Sequence, residues 1–208
     1  MFNKIVMSSL VFSALSCSVH AASLDDIVSA FALPANSTTA VQNWSTIDAM
    51  TGVHWKPKSA SVDPMTGKPY PDSFDRKGQV ELTTTIKKHP HITFTTMASG
   101  DKNNITSFVL ETKGSLNKTA DGSPSVDLAT MQKLFSKPID VKVSRPACNS
   151  NMNFTYWNLY TLVSPNKKPL FISVANFFGG DANAKPTTTF TFQNKPFSDD
   201  DSGCDAAN

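Results

Sequence analysis

From Gln79 to Ile86 the chain reads QVELTTTI, with Val80, Leu82, Thr84 and Ile86 falling on every second position. A period of two is the signature of a half-buried β-strand, because successive side chains leave the backbone on opposite faces. HITFTTMA repeats the pattern with Ile92, Phe94, Thr96 and Ala98, and a polar turn, SGDKNN, leads into ITSFVLETKG. Four further segments predict strands: IDVKVSRPA, FTYWNLYTLV, PLFISVANFF and TTTFTFQN.

Three segments carry the helical period instead. SLDDIVSAFAL places Leu24, Ile27, Val28 and Phe31 on one stripe, with Ser23 as N-cap and Pro34 as stop. STTAVQNWSTIDAMTG predicts a second helix, on Val41, Trp44, Ile47 and Met50, ending at Gly52. SVDLATMQKLFSKP predicts a third, capped by Ser125 or Asp127, with Leu128, Met131, Leu134 and Phe135 buried and Pro138 ending it. Between the second helix and the first strand, VDPMTGKPYPDSFDRKG is dense in turn formers and reads as a loop.

The economical assembly of these elements is α+β, helices packed on one face of an antiparallel sheet. Residues 94–114 align without gaps on 160–180, each strand, polar turn, strand, glycine. That suggests two tandem helix-plus-hairpin units. The expected organisation is one domain over 22–208, or two subdomains of about 22–120 and 121–208. Helix then antiparallel strands, with VDLATMQKLFSKP the most similar piece, resembles in layout the α+β fold of β-lactamase-inhibitor proteins and outer-membrane assembly lipoproteins. That resemblance implies a binding protein and carries no site residues across.

The N-terminus sets the expected compartment. Lys4 precedes an apolar run from Ile5 to about Leu15, and Val19 and Ala21 give a small-x-small cleavage site after Ala21. This is a secretory signal of bacterial type over residues 1–21; the rival reading is lipidation at Cys17. Cleavage leaves Cys148 and Cys204, and two cysteines in an exported chain predict one disulfide. In the chain-entropy model a loop of this length contributes about 4 kcal/mol.

The formal net charge of +2 calls for neither nucleic acid nor an anionic membrane. No mature segment reaches transmembrane length, so an integral membrane protein is not expected. The motifs for a nucleophile elbow, a phosphate loop or a zinc helix are absent from the sequence. His89 and His91 form a His-x-His read as a solvated turn rather than a metal site, and the mature chain has two glutamates, Glu81 and Glu111. No cofactor is expected.

What remains is surface for binding. Lys87, Lys88, Lys102, Lys167 and Lys168 fall on strand connections and are candidate ligand-binding residues of a basic rim; the alternative is turn lysines that keep sheet edges soluble. Trp44, Trp55, Trp157, Tyr156 and Tyr160 are candidates for an aromatic recognition face. The expected function is an exported, non-enzymatic binding protein, secreted or periplasmic, whose partner is a protein, a glycan or an anionic lipid head group. A secreted bacterial effector recognising a host or neighbour ligand is the first reading. A periplasmic inhibitor or immunity protein that blocks an enzyme, and a secreted hydrolase without a recognisable motif, are the alternatives.

Overall fold

The computed structural model describes residues 22–39, 41–114, 116, 126–137, 139–150, 155–177 and 185–198, without the side chains at 145–150 and 156. The expected leader, the expected subdomain boundary near 120 and Cys204 all lie outside the described residues.

The first helix forms as its sequence predicts. In α1 (Leu24–Phe31), Ser23 and Asp26 make a reciprocal capping box, and Leu24, Ile27, Val28 and Phe31 are buried. Its last carbonyls are satisfied from elsewhere: Gln42 Nε2 donates to Phe31 O at 2.8 Å, and Lys167 Nζ to Ser29 O at 3.0 Å. The second helix is cut short. Gln42–Asn43 is extended (β1), and α2 spans only Ser45–Asp48. The β1 pairing with Asn104 and Ile105 takes the backbone that a longer helix would need. The third, α3 (Leu128–Lys133), starts on an Asp127 cap; Met131, Leu134 and Phe135 are buried, the last two just past its end.

The strands dominate. In chain order they are β2 (Val53–Trp55), β3 (Ser59–Val62), β4 (Pro69–Thr83), β5 (His91–Gly100), β6 (Asn104–Lys113), β7 (Asp140–Ser150), β8 (Thr155–Val163), β9 (Leu170–Phe177) and β10 (Thr187–Gln193). They form one sheet in the order β2-β4-β5-β6-β10-β9-β8-β7, with β3 on β4 and β1 on β6. Every pairing between these strands is antiparallel.

This corrects the α+β expectation: the protein is mainly β, a single large antiparallel sheet with, among the described residues, three short helices. The tandem reading fails with it, because β6 and β10 pair over six residues and fuse both halves into one sheet. Helices of eight, four and six residues are too short to be layers of their own.

The segment read as a loop is also corrected. Pro69 and Pro71 lie inside β4, beyond the last β5 partner at Phe74. There the missing proline N–H interrupts no ladder with β5. Asp72, at φ 54, and a register shift between Ala60 and Val62 bend this part of the β3–β4 hairpin.

One face of the sheet builds the core. Val80, Leu82, Phe94, Phe108, Phe190 and Phe192 are buried there in one cluster with the α1 stripe. Phe108 stands 5.8 Å from both Phe31 and Phe192. The opposite face, on β4, β5 and β6, is open.

Candidate functional site

Because β4, β5 and β6 alternate regularly, their register fixes what lies on the open face. Lys77, Met97, Val109 and Thr191 form one row across the sheet. His54, Gln79, Thr95, Glu111 and Thr189 form the next. On β2, β4, β5 and β6 these rows line a groove of about 680 Å³, completed by Trp55 and Lys56, while Thr189 and Thr191 lie outside its lining. A second hollow of about 520 Å³ shares Gln79, Thr95 and Glu111 and runs on to His91 and Lys113. Both volumes fall in the range of roughly 300–1,000 Å³ usual for small-ligand sites.

Gly78 brings β2 close enough to wall the groove. A Cβ at Gly78 would stand 2.7 Å from His54 O and 3.0 Å from the Trp55 ring. Arg76 fastens the same wall: its Nε donates to Lys56 O at 2.8 Å, its guanidinium pairs with Asp48, and it lies 5.8 Å over Trp55. Lys56 N also donates to Lys77 O at 2.8 Å.

The groove is amphipathic and cationic. Met97 and Val109 give an apolar floor, while Gln79, Thr95 and His54 offer hydrogen-bonding groups. Lys56 and Lys77 face a single carboxylate, Glu111, which accepts a long hydrogen bond from Thr189 Oγ1 at 3.4 Å.

The structure divides the sequence-derived candidates. Lys87 and Lys88 sit on the β4–β5 connection, at one end of the sheet. Lys102, on the β5–β6 turn, and Lys167 and Lys168, on the β8–β9 turn, sit at the other. Ten residues of β5 separate the ends, about 33 Å, so the five lysines do not share one rim. Two are also engaged: Lys168 Nζ donates to Thr39 O at 3.2 Å, and Lys167 closes the end of α1. Lys87, Lys88 and Lys102 are exposed.

The aromatic candidates are equally dispersed. Tyr160 is buried and its hydroxyl donates to Val126 O. Trp55 packs edge-on against Phe108 at the β2 edge. Trp157 lies on β8 near the other edge, on the face opposite Tyr160, and the Tyr156 side chain is outside the described residues. Trp44 belongs to the β5–β6 end, where Nε1 donates to Asp101 O at 2.8 Å and Lys58 stands 4.9 Å from its ring.

His91 Nδ1 lies 3.4 Å from Glu81 on the open face. Among the described residues no three of His, Cys, Asp and Glu are grouped to hold a metal, and no helix there is long and apolar enough to cross a membrane.

Of the sequence-derived candidates Trp55 alone lines the groove; the other groove residues were missed because the sequence shows which positions of each strand face out, but not which strands are neighbours. Comparison with known proteins finds no matching family model, no matching curated protein and no matching solved structure.

Proposed function

We propose that the protein is an exported binding protein and that the open face of β4, β5 and β6 takes an acidic glycan. The groove itself carries this reading: a preformed trough on rigid strands, with an apolar floor, hydrogen-bonding walls and two lysines against one carboxylate. Sugar rings are amphipathic and fit such a lining. Acidic groups on them fit Lys56 and Lys77. An extended peptide fits less well, because it gains its main-chain hydrogen bonds from a sheet edge and not from a face. Export follows from the leader pattern at residues 1–21.

The test is an array of neutral and acidic oligosaccharides at low and moderate salt, beside vesicles bearing anionic head groups. The reading expects binding to soluble acidic glycans, weakened by salt and lost in Lys56→Gln/Lys77→Gln. Binding to neutral glycans alone, or binding that ignores both changes, would sink it. Binding lost instead in Lys87→Gln/Lys88→Gln would return the site to the turn lysines.

One observation favours a second reading, recognition of a protein. At the tip of the β3–β4 hairpin, Val62, Met65 and Tyr70 are 55%, 94% and 47% exposed. The turn is rigid: Asp63 Oδ1 accepts from Met65 N at 2.8 Å and Thr66 N at 3.2 Å, and Gly67 N donates to Asp63 O at 2.8 Å. A fixed apolar knob suits insertion into an enzyme's cleft, as an inhibitor would use it. Inhibition of any of a panel of exported hydrolases, abolished by Met65→Ser, would support it; inhibition indifferent to Met65→Ser would exclude the tip.

A further inference from the structure

The two hollows of the open face are one trough, because both are lined by Gln79, Thr95 and Glu111. Its charges are set apart along it. Lys56 and Lys77 lie at one end, where Lys56 N donates to Lys77 O. Lys113 lies at the other end, two positions past Glu111 on β6 and so on the same face. From Lys77, in the row of Met97 and Val109, to Lys113 is two strand steps across and four residues along, about 17 Å. Side chains stand roughly perpendicular to a sheet, so the ammonium groups keep that separation. Glu111 stands between the two ends, in the row of Gln79 and Thr95.

Lys56, Lys77, Lys113 and Glu111 are all exposed, and none of them forms an ion pair among the described residues. Glu81, on β4, is outside both linings and is met by His91 Nδ1 at 3.4 Å. The trough therefore presents free positive charge at each end and one free negative charge between.

We infer that its ligand is a glycan chain in which acidic sugars alternate with neutral ones. This rests on the reading above that the open face takes an acidic glycan. One negative group meets Lys56 and Lys77, the next meets Lys113, and a neutral sugar lies between them over Gln79 and Thr95. A neutral ring offers Glu111 hydroxyl donors, which a carboxylate there accepts. An acidic ring at the same place meets like charge, so Glu111 selects against a chain charged on every sugar. Each exposed ion pair is weak alone. Carried on one chain, the second contact becomes intramolecular, and affinity rises with length.

The test is calorimetric titration at fixed, moderate salt with soluble probes: a disaccharide of uronic acid and neutral N-acetylhexosamine, an alternating oligosaccharide of the same units, and an oligo-uronate of equal length. Wild type, Lys113→Gln and Glu111→Gln are compared, with far-UV circular dichroism confirming that each is folded and affinities expressed per disaccharide unit. The alternating chain is expected to bind wild type several-fold tighter than either the disaccharide or the oligo-uronate. Lys113→Gln should remove the first preference, and Glu111→Gln the second. An alternating chain that binds no tighter than the disaccharide, or a gain with length that survives Lys113→Gln, would overturn the inference and leave the acidic-glycan reading standing. So would an oligo-uronate that binds as tightly as the alternating chain. Binding of none of the probes would overturn both.

Discussion

Asp101 holds the β5–β6 turn through its side chain. Its Oδ1 accepts from Asn103 N and Asn104 N, both at 2.7 Å, and these bonds hold its carboxyl below the usual carboxylate range. A lowered pKa in the folded state means that the contribution is present above the unfolded value, near 4, and is lost as pH falls through the folded one. Asp101→Ala should therefore lower the melting midpoint at neutral pH, with the gap to wild type closing in acid. A gap that does not change with pH would contradict this. Lys167 is the other informative residue. Its sequence position on a turn looked free, but its ammonium caps α1 by bonding Ser29 O and Ala32 O. Lys167→Ala should cost about 1 kcal/mol, against almost nothing for Lys87→Ala, which is exposed. Denaturant midpoints of the two variants would decide it. The tertiary partner of a lysine is invisible in a sequence.

At the scale of elements, β2 depends on a single atom's absence. Gly78→Ala pushes a methyl group toward His54 O and Trp55, which should cost about 1–3 kcal/mol and displace the wall that carries His54 and Lys56. Loss of glycan binding with retained fold would mark the wall as part of the site; unchanged stability and binding would mean the strand adjusts freely. Leu134, buried beside α3, gives the complementary case. Leu134→Ala should destabilise by about 2–5 kcal/mol, read from thermal or denaturant unfolding. The strands after Gln79 were legible from their β-rich composition and, in β5 most clearly, their alternation, and α1 because stripe and cap agree. The segments between α1 and Gln79 were not. Two prolines argued against β4 where an overhanging strand tolerates them, and Trp44 and Ile47 mimicked a helical stripe that β1 pairing interrupts.

The whole molecule is governed by strand order. Local pattern showed hairpins, but the pairing of β6 with β10 joins residues nearly eighty positions apart, such as Glu111 and Thr189. No periodicity encodes that pairing. It turns an expected α+β assembly into one sheet, and it brings Gln79, Thr95, Glu111 and Thr189 into a single row. The groove is thus a property of topology, not of a motif. The lysines that matter to it, Lys56 and Lys77, stood outside the turns where sequence attention went. The most direct measurement is a residue-resolved NMR titration with an acidic oligosaccharide. Shifts concentrated at Gln79, Thr95, Met97, Val109 and Glu111 are the predicted result. Shifts confined to the strand connections or the β3–β4 tip, or none at saturating ligand, would contradict the account.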